Sequence, residues 1–319
     1  MAERLLLTGA TGFVGRALVA PLLEAGLEVH AVTHRAPPPS SAAARWHRAD
    51  LLDEGAARAL LREVRPAILL HAAWYVEHGL FWTAPENAAW LDASVALAEA
   101  FAEEGGRRII GIGSCAEYAA QAGADDEPWP ETRRLDPATP YGRAKVALFE
   151  RLSGLQARRG VEFAWARLFH LFGPGEPQAR LVPSVALALL RGEEAPCGSG
   201  LPVRDFASTR HVGEVLTALA ASRVTGPVNV ASGEGRSIAA VTRILAAAAG
   251  RPDLLRLGAL PDRADETPCM VADIGRLRAG TGFAMPPLVE DDLRAEVAAL
   301  RQGGHENGRR WWARQGLNL

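Results

Sequence analysis

The chain has 319 residues, 48% of them hydrophobic and 23% charged, with a formal net charge of -2. That length suits one large domain or two modest ones, and the near-neutral balance leaves no basic footprint for nucleic acid. Its three cysteines, Cys115, Cys197 and Cys269, are odd in number and far apart, which excludes a disulfide framework or a cysteine metal site and fits a reducing compartment.

His30 and His34 are four apart but fall on or just after a predicted strand, so no metal is expected. No apolar run reaches about 18 residues, and the sequence enters a strand without a basic-then-apolar leader. The expectation is a cytoplasmic protein without membrane contact.

Arg4 to Thr8 is an apolar run suited to a buried parallel strand, and Gly9, Gly12 and Gly15 follow at spacing three and three. An amphipathic helix is predicted over Phe13 to Ala25, closed by Gly26. Strand, glycines and helix together form a receptor for a dinucleotide pyrophosphate, with Thr11, Phe13 and Val14 beside it. The second strand, Leu27 to Thr33, ends without the carboxylate that would accept the 2′-hydroxyl of NAD. Thr33, His34 and Arg35 stand there instead, and an arginine favours a 2′-phosphate, so NADP(H) is preferred with NAD(H) as the alternative.

Residues 36–44, with three prolines and two serines, read as a loop. Trp46 to Ala49 is the third strand and Asp50-Leu51 its exit, followed by a helix from Asp53 to Glu63. Ala67 to Leu70 is the fourth strand. It leads into His71-Ala72-Ala73, where small side chains let a flat ring approach the backbone. A long helix covers Pro85 to Glu104, and Arg107 to Ile112 is the fifth strand. This alternation predicts an α/β protein with a doubly wound parallel sheet. The fifth strand ends in Gly113-Ser114-Cys115-Ala116-Glu117-Tyr118, which places Ser114 at the ligand crevice.

Tyr141-Gly142-Arg143-Ala144-Lys145 carries the chemistry. Lysine and arginine number 35 together, and Lys145 is the only lysine, four residues after one of three tyrosines. Random placement of one lysine would give that spacing about 1 time in 100. Thr139 as N-cap and Pro140 in the first turn predict a helix, on which residues i and i+4 share a face. At about 6 Å and an effective dielectric of about 20, the ammonium would favour phenolate by roughly 3 kcal/mol and lower the tyrosine pKa by about 2.

Gly9-x-x-Gly12-x-x-Gly15, Asp50-Leu51, a serine closing the fifth strand and Tyr141-x-x-x-Lys145 occur in the order seen in extended short-chain dehydrogenases/reductases. The chain resembles the NAD(P)-dependent epimerase/dehydratase group that acts on nucleotide-linked sugars. The likeness continues in Arg167-Leu168-Phe169-His170 with Gly173-Pro174-Gly175, in Arg204-Asp205-Phe206, in Asn229 to Gly233, and in Arg263 and Ala272-Asp273. It implies a Rossmann-like domain over 1–170 plus 204–231, a smaller substrate-binding domain over 171–203 plus 232–304, and a tail at 305–319. It also implies a homodimer.

By this resemblance Ser114, Tyr141 and Lys145 are catalytic, and Tyr141 and Lys145 also meet the cofactor together with Gly9, Thr11, Gly12, Phe13, Val14, Gly15, Arg35, Asp50, Leu51, Ala72 and Ala73. Arg204 and Arg263 would hold a substrate diphosphate, a role that suits the guanidinium fork. His170 stands where the family often has an asparagine that touches the substrate, and Trp74, on the crevice side after the fourth strand, is a candidate pocket wall. Cys115 and Ala116 replace the aspartate-glutamate pair of sugar 4,6-dehydratases, which argues against dehydration. The expected function is an NADP(H)-dependent reductase of a 4-keto (deoxy)sugar nucleotide. An NAD-dependent 4-epimerase is the alternative, and a non-catalytic dinucleotide sensor a third.

Overall fold

The computed structural model describes residues 2–34, 44–119, 127–263, 266–283 and 289–305. Arg35, the loop residues 36–43 and the tail beyond 305 lie outside the described residues. The elements, in chain order, are β1 (Arg4–Thr8), α1 (Val19–Glu24), β2 (Glu28–Thr33), β3 (Arg45–Arg48), α2 (Glu54–Val64), β4 (Ile68–His71), α3 (Glu86–Glu103), β5 (Arg108–Ser114), α4 (Pro140–Arg159) and β6 (Glu162–Leu168). They continue with β7 (His170–Phe172), α5 (Leu181–Leu190), β8 (Ala195–Pro196), β9 (Val203–Ser208), α6 (Thr209–Ala221), β10 (Gly226–Val230), β11 (Gly235–Ser237), α7 (Ile238–Ala249), β12 (Leu255–Arg256), β13 (Cys269–Met270), α8 (Gly275–Thr281) and α9 (Val289–His305).

Seven strands form one sheet in the order β10-β6-β5-β4-β1-β2-β3, and every pair in it is parallel. This is the Rossmann-like, doubly wound α/β fold that the strand-helix alternation predicts. Central strand β1 has Leu5, Leu6 and Leu7 fully buried. Leu5 and Leu7 enter the core on one face and Leu6 that on the other, as the two-residue period of a strand requires. The chain runs outward from β1 to β2 and β3 and then crosses to β4 on the opposite side. That reversal opens a crevice at the C-terminal ends of β1 and β4.

The smaller sheet is built on β9, which pairs with β7 and β13 in parallel and with β11 antiparallel. Helices α5, α7 and α9 cover it through Val182, Val185, Leu245, Leu293 and Val297. Helix α6 leads from β9 back to β10 in the large sheet.

One predicted element differs. The helix expected over Phe13 to Ala25 is a 3₁₀ turn at Gly15–Ala17 followed by the six-residue α1. Pro21 is the reason: it has no N–H to return to the carbonyl of Ala17. The crossing of α6 depends on the same place, since a Cβ at Gly213 would stand 2.2 Å from that carbonyl oxygen.

Candidate active site

The glycine loop is held by contacts only glycine allows. Gly9 has φ +66°, and a Cβ there would lie 2.7 Å from the Ala72 and Ala73 backbone; one on Gly15 would lie 2.0 Å from the Gly9 oxygen. The turn closes through Gly12 N–H on the Gly9 carbonyl at 2.9 Å. Arg16, not anticipated from the sequence, donates to the carbonyls of Gly12 and Thr11 at 3.2 and 3.1 Å and fixes the loop from below. Phe13 and Val14 are half-buried against the core beneath.

Ala72 and Ala73 are tied to the loop by one hydroxyl. Thr8 Oγ1 accepts their two N–H groups at 3.1 and 3.2 Å and lies 2.8 Å from His71 Nδ1. His71 Nε2 lies 2.8 Å from Ser94 Oγ, which donates to the Trp90 carbonyl at 2.6 Å. Ser94 must therefore accept from Nε2–H, so Nδ1 accepts from Thr8 and the imidazole is neutral. Burial agrees, holding His71 down at about 3.

A cleft of about 270 Å³ opens beside this turn, lined by Gly9, Thr11, Thr33, His34, Asp50, Leu51, Ala73 and Trp90 among others. The open glycine turn and this cleft fit a dinucleotide: loop N–H groups for phosphate, and a lined recess for the adenosine end. Asp50 is exposed and accepts the Leu52 N–H at 3.0 Å, while Leu51 is buried.

At the end of β5, Ser114 caps a single 3₁₀ turn, Cys115–Glu117, in a reciprocal capping box. Ser114 Oγ accepts from Ala116 N at 3.1 Å, and Glu117 Oε1 accepts from Ser114 N at 2.8 Å. Glu117 has no exposed side-chain surface and also accepts from Trp165 Nε1 at 3.0 Å and Arg167 Nε at 2.7 Å. Burial pushes its carboxyl up, opposed by Arg167. Glu117 is the positioning group that the sequence reading passed over, although serine followed three residues later by glutamate is itself a capping-box signature.

Helix α4 starts as predicted, with Thr139 Oγ1 accepting from Gly142 N at 3.1 Å and Pro140 in the first turn. A Cβ at Gly142 would be 2.5 Å from the Ala116 oxygen, so its absence lets the helix start press against the serine turn. Tyr141 is thereby brought close to Ser114. It is 9% exposed and boxed by Phe81 and Trp82, whose rings meet it edge-on at 4.9 and 5.7 Å.

The expected depression of the tyrosine pKa does not occur. Burial raises it, the Glu117 charge adds to the rise, and Ser114 and Arg180 oppose it. The lysine ammonium is spent elsewhere. Lys145 Nζ donates to the Ile112 carbonyl at 3.0 Å and lies 3.7 Å from the Trp74 ring centre, against 5.8 Å for the Tyr141 ring. Burial brings Lys145 itself down to about 7.

Beyond Tyr141 lie Cys115, Arg180, His170 and Arg204, coupled electrostatically to it or to one another. Burial pushes the Cys115 thiol up to about 12, with Arg204 opposing. His170 packs on Phe206 at 5.8 Å, its Nδ1 has no hydrogen-bond partner among the described residues, and burial with two arginines nearby holds it neutral, at about 3. Arg180, a third group missed in the sequence, pairs with Glu176 at 3.0 Å.

Arg204 is 4% exposed and forms an ion pair with Glu266, whose N–H donates to the Arg263 carbonyl at 3.2 Å; Arg263 itself is exposed. Asp205 is structural: its carboxylate accepts from the N–H groups of Ser232, Gly233 and Ala272 at 2.8 to 3.2 Å. Trp74 is buried against Lys145, with its N–H donated to Asn87 Oδ1 at 2.9 Å. Among the described residues no cluster of histidine, cysteine or carboxylates could hold a metal, and no helix is long and apolar enough to cross a membrane.

The profile of the NAD dependent epimerase/dehydratase family matches residues 5–231. A dTDP-glucose 4,6-dehydratase of Streptomyces griseus is 24% identical over 98% of this chain and 97% of its own length. A UDP-glucose 4-epimerase of Streptomyces lividans and a dTDP-4-dehydro-6-deoxy-D-allose reductase of Streptomyces bikiniensis are each 28% identical, over 89% of this chain and 92% of theirs. The Thermotoga maritima UDP-glucose 4-epimerase solved with UDP-glucose shares the fold, with a TM-score of 0.84 at 21% identity over 94% of this chain and 99% of that one. MoeE5 in complex with UDP-glucuronic acid and NAD gives a TM-score of 0.80 at 27% identity over 95% and 100%.

Proposed function

Because the chain belongs to the NAD dependent epimerase/dehydratase family, we propose that it reduces a keto group, at C4, of a nucleotide-activated deoxysugar, with NADP(H) preferred over NAD(H). The observation that carries this is the state of Tyr141. Its phenol is raised by burial and by Glu117, so it stays protonated at neutral pH, and Ser114 is close enough to oppose that rise. A group in that state suits giving a proton better than taking one.

A reduced nicotinamide dinucleotide, when bound, supplies the hydride. The glycine loop, Ala72, Ala73 and Lys145 are the residues that would hold it, with Thr33 and His34 at the end of β2 offering no carboxylate against a 2′-phosphate. Tyr141 passes its proton to the carbonyl oxygen of the sugar, and Ser114 orients that oxygen by a hydrogen bond. Arg204, which pairs with Glu266, and Arg263 bind the diphosphate, while His170 offers its Nδ1 to the sugar. Dehydration is disfavoured by Cys115, a thiol held near 12 and so unfit for proton transfer at neutral pH, and by Ala116.

Tyr141→Phe tests the assignment. Turnover of a 4-keto sugar nucleotide should fall at least about 1000-fold while NADPH titrates with nearly unchanged affinity. Retained turnover would remove the tyrosine from the reaction. The 28% identity to a 4-epimerase favours a second reading, in which the same residues oxidise and re-reduce one carbon. Mass spectrometry of nucleotide released on denaturation separates the two. Stoichiometric NAD would support the epimerase, and an empty site that takes NADPH more tightly than NADH would support the reductase.

A further inference from the structure

Lys145 is 4% exposed, and an ammonium withdrawn from water needs partners. Its hydrogen bond goes to the Ile112 carbonyl at 3.0 Å. The carboxylate coupled to it, Glu117, is occupied by Ser114, Trp165 and Arg167. The remaining face of the ammonium lies on Trp74, 3.7 Å from the ring centre, while the Tyr141 and Trp165 rings stand at 5.8 and 6.0 Å.

The indole is itself held rigidly. Its N–H goes to Asn87 Oδ1 at 2.9 Å, and Asn87 Nδ2 donates to the carbonyls of Phe81 and Ala84 at 2.7 and 3.0 Å. These two bonds fix the orientation of an amide that is 3% exposed. Trp90 flanks the ring at 6.4 Å.

We propose that Trp74 is a positioning residue for Lys145: its ring face holds the ammonium at the floor of the crevice and favours the charged form, and Asn87 holds the ring. The inference rests on the reading of Lys145 as part of the site, and it makes Trp74 a support for that lysine in place of a wall for the sugar. The charged and titratable groups around Lys145 are Glu117 on the serine turn, His71 on β4 and Tyr141 on its own helix. His71 is neutral by its tautomer and Tyr141 is protonated, so Glu117 and the indole oppose the burial that brings Lys145 down to about 7.

A chain with one lysine permits a direct measurement. Lysine labelled with ¹³C at Cε gives a single side-chain resonance, whose shift against pH reads the protonation of Lys145 in the nucleotide-free protein. Trp74→Leu keeps apolar bulk but removes the π face, and should lower the midpoint by about one pH unit. Trp74→Phe keeps a face and should fall between the two. An unchanged or higher midpoint in Trp74→Leu overturns the proposal.

Should the leucine variant not fold, the native protein still decides. Protons on Cε lying over an indole resonate upfield, and an ordinary shift for them would equally refute the contact. No turnover enters these readings, so a protein that passes them yet reduces no keto sugar would indict the proposed reaction and leave the positioning role standing. In an active enzyme, Trp74→Phe should recover kcat/KM lost in Trp74→Leu.

Discussion

Glu117 links Ser114 to the core, and the link is one side chain deep. Its carboxylate receives Ser114 N–H, Trp165 Nε1–H and Arg167 Nε–H, while Arg167 also reaches the Tyr118 hydroxyl at 3.2 Å. Both members of the ion pair are at most 1% exposed. Glu117→Gln removes the charge but keeps the volume, leaving Arg167 buried and uncompensated. A loss of about 3 kcal/mol is expected in urea unfolding, with lower turnover because the single amide oxygen cannot accept from both Ser114 N–H and Arg167 Nε–H. Stability equal to that of the native chain would mean that Arg167 finds another counter-charge. The sequence made half of this visible. The spacing of Ser114 and Glu117 announces a capping box, because both partners lie within one turn. Arg167 comes from β6 and Trp74 from the end of β4, and pairings across 50 or 71 residues leave no local trace.

At the scale of elements, α4 is the piece whose position matters most. Its start was legible because capping is local: Thr139, Pro140 and Gly142 occupy the places that residue chemistry assigns them. Thr139→Ala should cost about 1 kcal/mol, read as a fall of a few degrees in the melting temperature. Gly142→Ala is the sharper probe. Its methyl group would need the space 2.5 Å from the Ala116 oxygen, so Tyr141 must move away from Ser114. A drop of about 100-fold in kcat with a measurable loss of stability is expected, and native kcat would mean that the two turns separate without cost. The first helix was misread for a comparable local reason. Its apolar period persists through Pro21, but a proline inside the run divides it, and that signal was available in the sequence.

Across the whole molecule, two buried carboxyls sit where the Gly173–Glu176 turn meets α9. Burial raises Glu176 to about 8, with Arg180 opposing and Glu296 adding, and raises Glu296 to about 7. Groups raised above the unfolded value of 4.5 stabilise fully below that pH, and the contribution is lost as pH rises through 7 to 8. Lys145, depressed to about 7, acts in the opposite sense, since its cost is relieved as pH rises from 7 towards 10.5. The comparison that isolates the carboxyls is therefore with Glu176→Gln. That variant should lose less stability than the native chain between pH 6 and pH 9 in thermal melts, and parallel losses would remove Glu176 from the linkage. The same bookkeeping of amines has a further consequence. With Lys145 the only lysine in the sequence and its side chain buried in α4, a lysine-specific protease has one bond to cut, and that bond stays closed to it until the helix opens. The cleavage rate would thus be a clock on the local opening of the tyrosine helix, and any ligand that steadies the crevice would slow it.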